Sequence, residues 1–290
     1  MILQPAQSVN ALRPHLGKTW EQSQVTCVAD VGAREIANVT YATGALSAQG
    51  EFILVTNVAG TTWAVWIDID AAGTAPNGAI YTASDNQIEV DISSGDTAAQ
   101  VATKVFTAIG ANITNVTCTN PSAGVVRLAQ DKIGAVANVV AYAEDEVSSS
   151  SATVAIATAG ANSNLQNTYF QLKNGAGSDF FVWCDVGSEG VEPAGTGTAI
   201  PASVEPSDTA ASVALAVATA INANGNFSSE VTYSGSSSLT LVNDDSAANV
   251  TDIVDVDTTF TFSVLQQGQA LIYSPATITG SISVTPSLIS

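Results

Sequence analysis

The chain contains one histidine, His15, so any serine or cysteine nucleophile activated by an imidazole would have to use it. Its setting, Arg13-Pro14-His15-Leu16-Gly17, offers no nucleophile beside it. Gly17-Lys18-Thr19 copies the end of a phosphate-binding loop, but that loop needs a glycine five residues earlier, where Leu12 stands. Gly195-Thr196-Gly197-Thr198-Ala199-Ile200 lacks the third glycine of a dinucleotide fingerprint and runs into a strand, so it reads as a turn. Cys27, Cys118 and Cys184 are odd in number and widely spaced, which points to neither a zinc site nor a disulfide framework. Carboxylates are abundant. Asp68, Asp70 and Gly73 imitate the start of a calcium loop, but its later ligand positions hold Ala72 and Ala79. Asp252, Asp255 and Asp257 form a second cluster that is either a calcium site with partners from elsewhere or a solvated edge that discourages strand pairing. Whether two carboxylates stand at a catalytic separation is a three-dimensional property on which sequence is silent. The expectation is a protein that is not an enzyme, with no catalytic residues, no cofactor and no metal beyond the calcium alternative.

An internal repeat supplies the framework that must position these groups. Residues 62–70, TWAVWIDID, align with 179–187, DFFVWCDVG, which places Trp66 on Trp183 and Asp68 on Asp185. Residues 93–109 align with 205–221 through Asp96-Thr97-Ala98-Ala99 and Asp208-Thr209-Ala210-Ala211; 127–132 then matches 240–245, and 156–160 matches 264–268. This order predicts an N-terminal anchoring segment at 1–49, module A at 50–160, a polar linker at 161–166, module B at 167–269 and a C-terminal tail at 270–290.

The fold class expected is α+β, mostly β: two tandem repeats of an antiparallel sheet with one packed helix, plus an N-terminal β or extended segment. Residues 51–58 and 62–70 read as a hairpin around Ala59-Gly60-Thr61. In the second run Trp63, Val65, Ile67 and Ile69 share one face, and Ala64, Trp66, Asp68 and Asp70 the other. Ile88, Val90 and Ile92 alternate inward. Asp96 and Asp208 are the expected helix caps, ahead of the stripes Val101, Val105, Phe106, Ile109 and Val213, Val217, Ile221. Glu144 to Ser151 reads as a solvated acidic loop. Trp66 and Trp183 have two readings: core residues under the helix, or exposed aromatics that stack on a ligand or an interface. Cys184, in the place of Ile67, reads as a small buried hydrophobe.

Lys and Arg number 7 against 26 Asp and Glu, a formal charge of −19, which disfavours direct contact with nucleic acid or an anionic membrane. Module A carries 11 acids and 3 bases and module B 12 and 1, whereas the segment before them has 3 of each and the tail has none. The chain has no run of about 18 consecutive apolar residues, the length needed to cross a bilayer. Met1 to Asn10 lacks the basic start and apolar run of a secretion signal, so folding in a cytoplasm is expected.

The blocks Phe180-Phe181-Val182-Trp183-Cys184-Asp185-Val186, Ser207-Asp208-Thr209-Ala210-Ala211-Ser212-Val213-Ala214 and Thr259-Phe260-Thr261-Phe262-Ser263-Val264 resemble modules of tailed-bacteriophage structural proteins. The resemblance spans about 50–269; module A departs at the last block, where Ala152 to Ala159 replaces the Phe-rich strand. What it implies is a non-enzymatic virion component folded in the host cytoplasm, a head-decoration or other particle-surface protein whose partners are other virion proteins and copies of itself. The alternative is a tail-fibre or adhesin component that recognises a host-surface glycan through Trp66 or Trp183.

Overall fold

The computed structural model describes residues 22–78, 80, 86–143, 150–174, 177–225, 229–243 and 253–267. The N-terminal segment contributes β1 (Gln22–Thr26) and β2 (Ile36–Thr40). Module A continues with β3 (Phe52–Thr56), β4 (Thr62–Ile69), β5 (Asn86–Ile92), α1 (Ala98–Asn112), β6 (Val116–Ser122), β7 (Val125–Gln130), β8 (Val140–Tyr142) and β9 (Thr153–Thr158). Module B repeats the series as β10 (Tyr169–Lys173), β11 (Asp179–Val186), β12 (Thr198–Val204), α2 (Ala210–Ala223), β13 (Ser229–Tyr233), β14 (Ser238–Asn243), β15 (Val254–Asp255) and β16 (Thr261–Gln266).

The chain is thus α+β and mostly β, but each module has two four-stranded sheets rather than one. Module A pairs β5-β4-β3-β8 with β6-β7-β2-β9, and module B pairs β12-β11-β10-β15 with β13-β14-β1-β16. A sheet with one apolar face needs a second layer to bury it. Ile53, Val55, Val65 and Ile67 of one sheet meet Ala37, Val39, Val126 and Leu128 of the other, with Val101, Val105 and Ile109 of α1 closing the side. Module B repeats this core with Val213, Val217 and Ile221 of α2.

The expectation of a separate segment at 1–49 needs correction. β1 lies between β14 and β16 in module B, and β2 lies between β7 and β9 in module A. Module A is therefore contiguous, whereas module B is completed by a strand from before module A. The start of module B also moves. Leu165 is fully buried in its core, and Gln166 Oε1 accepts from Val186 N at 2.7 Å, as Gln49 Oε1 does from Ile69 N at 2.7 Å. Both residues belong to the module rather than to a polar linker.

The caps shift by one residue. Thr97, extended at φ −71° and ψ 159°, accepts from Gln100 N, and Gln100 reciprocates in a capping box. Thr209 accepts from Ser212 N in the same way. Asp96 and Asp208 instead close the preceding turn, accepting from Ser93 N at 2.8 Å and Glu205 N at 2.9 Å. A carboxylate one residue before the extended cap residue reaches backwards, not into the first helical turn.

The connector between β1 and β2 fastens the modules to each other. Buried Asp30 accepts from Gly32 N at 2.8 Å, Ser207 N at 3.2 Å and the Ser163 hydroxyl, tying together three stretches of chain. Arg34 pairs with Glu189 of module B at 2.6 Å, and the second oxygen of Glu189 accepts from Ile133 N of module A at 3.0 Å.

Candidate functional site

The densest chemistry among the described residues lies on the outer face of β4 and β5. These strands run parallel, with Asp68 opposite Asp91 and Trp66 opposite Glu89. Alternation turns all four away from the core. Ligand oxygens of Asp68, Glu89 and Asp91 fall within 4.8 Å of one another. Asp68 is buried and its Oδ1 accepts from Gln49 Nε2 at 2.9 Å and Gly73 N at 2.8 Å. The Gln49 bond, chiefly, holds its carboxyl below the ordinary range against the effect of burial. Glu89 is pushed up, by desolvation first and then by the charges of Asp91 and Asp68.

The environment therefore shifts neighbouring carboxyls in opposite directions, Asp68 down and Glu89 up. Three carboxylates are also the hard oxygen donors that calcium and magnesium prefer. A groove of about 330 Å³ runs beside the cluster, between β5 and α1, past Thr103, Lys104 and Thr107. The Lys104 ammonium is engaged by Asp96 at 2.7 Å. Module B lacks the cluster: Pro201 and Ser203 stand opposite Trp183 and Asp185. Asp185 keeps only the turn contact, accepting from Gly190 N at 2.8 Å.

The calcium-like grouping of Asp68, Asp70 and Gly73 is redistributed. Asp70 turns to the loop after β5 and accepts from Ser94 N at 3.2 Å, while Gly73 gives its N–H to Asp68. The true neighbours, Glu89 and Asp91, lie on the adjacent strand, which only the parallel pairing brings alongside. In the second proposed cluster, Asp255 accepts from both the N–H and the hydroxyl of Thr258, and Asp257 from Tyr169 N at 2.8 Å. Asp255 thus closes a local turn, and Asp257 ties its loop to the start of β10. Asp252 and His15 lie outside the described residues.

Trp66 and Trp183 are 4% and 6% exposed, so neither ring is available to stack on a ligand, which corrects that reading. The cause is topology. Joining parallel neighbours forces the chain to cross the outer face of the sheet, burying what alternation would leave outside. In module B the crossing segment rests on the rings: a Cβ on Gly190 would stand 2.7 Å from the Trp183 ring, and one on Gly195 2.5 Å from that of Phe181. In module A, Trp66 packs with Phe52 and Ala64, flanked by Leu54, Ala75 and Tyr142. The indole N–H of Trp183 is buried without an acceptor.

The cysteines are buried or half-buried thiols. Desolvation pushes Cys27 and Cys184 up to about 12 and Cys118 up to about 11, which disfavours the reactive thiolate at neutral pH. Besides Asp30, sequence reasoning passed over two further buried carboxylates. Glu51 accepts from the Ser150 hydroxyl, Ser151 N and the Ser151 hydroxyl, so the end of the expected solvated loop is pinned to the core. Glu35 accepts from Val139 N at 3.3 Å with one oxygen, while the other has no donor, and burial raises its carboxyl. Both stand just before a short strand, where nothing in their spacing signals burial. Among the described residues no helix is long and apolar enough to cross a membrane. Comparison of the chain with protein-family models, curated proteins and solved structures gave no match.

Proposed function

We propose that this protein is a non-enzymatic structural component of a tailed-phage virion, a head-decoration or other particle-surface protein whose partners are other virion proteins and copies of itself. The observation that carries the reading is the duplicated sandwich fastened into one body. One N-terminal segment threads a strand into each module, and the Asp30 and Arg34–Glu189 contacts fix the joint. Such a body suits a stiff spacer, and its net charge of −19 keeps densely arrayed copies soluble. The resemblance of the repeated blocks to phage structural modules favours the same role. Burial of Trp66 and Trp183 withdraws the aromatic surface that motivated the glycan-binding alternative.

Attachment through residues 1–49 must be recast, because their removal would take an interior strand from each sandwich. The pieces left to grip a particle are residues 1–20 and the uncharged tail, both outside the described residues. Mass spectrometry of gradient-purified particles should find the chain at a fixed stoichiometry to the major shell protein. A variant lacking residues 1–20 should fold but be lost from particles. Absence of the intact chain from particles overturns the role, and normal incorporation of the truncated chain overturns the attachment route.

A further inference from the structure

The charge is unevenly shared between the two sheets of module B. Three of the four strands of one sheet, β1, β14 and β16, contain no Asp, Glu, Lys or Arg, and Glu230 on the far-edge strand β13 is the one charged residue in its strands, whereas β10, β11 and β15 of the opposite sheet hold Lys173, Asp179, Asp185 and Asp255. With Val25, Leu239, Leu241 and Phe262 turned towards the core, the outer face is built from residues such as Gln24, Thr240 and Ser263, which lie side by side in register.

The same sheet ends at β16, which has a strand on one side only among the described residues. Open edges are ordinarily guarded by lysines, prolines or inward charges; TFSVLQ has none of these. Val264 and Leu265 are 38% and 53% exposed there, and Val254 and Val256 on the neighbouring β15 stretch are 47% and 45% exposed. A slot of about 190 Å³ opens beside them, lined by Ser23, Ile253, Phe262 and Val264.

Two copies of a chain carrying −19 repel each other wherever acids face acids, so contact between them is least opposed where charge is absent. We propose that a second copy of this chain docks on module B at the open β16 edge and the uncharged face beside it. The inference deepens the particle reading, in which copies must touch, but the purified full-length chain tests it separately from incorporation into particles.

Sedimentation velocity over a concentration series should show reversible self-association. Ser263→Glu and Leu265→Glu should each weaken it at least about tenfold by setting like charges across the contact. Val191→Glu is the control: it adds the same charge at a residue 74% exposed in the segment that crosses the opposite sheet, and it should leave association unchanged. Unaltered circular dichroism and melting confirm that each variant folds. A wild-type chain that stays monomeric at its solubility limit overturns the proposal, as does equal weakening by Val191→Glu. So does association that survives both edge substitutions but disappears on truncation after Gln267, because the tail would then be the contact. If self-association behaves as expected while the chain is absent from particles, the virion role falls and the docking surface stands.

Discussion

Val25 and Val39 sit 14 residues apart on consecutive short strands, yet the structure places them in different modules. Both are 0% exposed. Val25 lies in the core with Leu239, Leu241 and the α2 stripe, and Val39 in the core with Val126, Leu128 and the α1 stripe. Truncating either to alanine removes two methyl groups, about 1.6 kcal/mol of transfer free energy at roughly 0.8 kcal/mol each. The cavity left in a core that relaxes only in part adds to this, for a total of about 2–3 kcal/mol. The effects should separate in space. Hydrogen exchange read by mass spectrometry should show Val25→Ala lowering protection in peptides from α2 and β11, more than 150 residues downstream, with α1 and β4 less affected. Val39→Ala should do the reverse. Loss of protection in module A from Val25→Ala, with module B unchanged, would refute the crossed threading, and a loss under about 0.5 kcal/mol in both would refute burial of β1.

Replacing Thr97 or Thr209 by alanine should destabilise the corresponding module by about 1 kcal/mol in urea unfolding, through loss of the helix cap. Trp183→Ala should destabilise by about 3–5 kcal/mol in the same assay; an undisturbed midpoint would contradict its burial. Glu35 binds its proton more tightly folded than unfolded, so its protonation favours folding below the unfolded carboxyl pKa, and that stability is lost as pH rises through the folded value. Glu35→Gln should therefore be more stable than wild type at pH 7, with the difference shrinking as pH falls; the opposite slope would count against a raised pKa. Asp68 has the opposite sign: its bonds to Gln49 and Gly73 contribute above the unfolded pKa and are lost as pH falls through the depressed folded one. Asp68→Asn should be less stable than wild type at pH 7, and the gap should close in acid.

Several features were legible from the chain because they depend on local chemistry repeated at a fixed spacing. Ile88, Val90 and Ile92 turn inward because a strand alternates sides with a period of two, and Val101, Val105 and Ile109 line one helix face because a turn holds 3.6 residues. The matched blocks around Trp66 and Trp183, and around Asp96 and Asp208, revealed a duplicated α+β unit because each copy buries the same pattern. Pairing partners and strand direction were not legible. Alternation states which side of a strand is apolar, but not whether its neighbour runs parallel, and the parallel step from β4 to β5 assembles Asp68, Glu89 and Asp91 while covering Trp66. Nor could five-residue strands with one or two apolar inward side chains declare themselves. Only the sandwich, by leaving a gap between β14 and β16 and another between β7 and β9, makes β1 and β2 interior strands. Backbone hydrogen bonds across a sheet connect residues without regard to their distance along the chain, so membership of a module is decided by which edge needs a partner, not by order in the sequence.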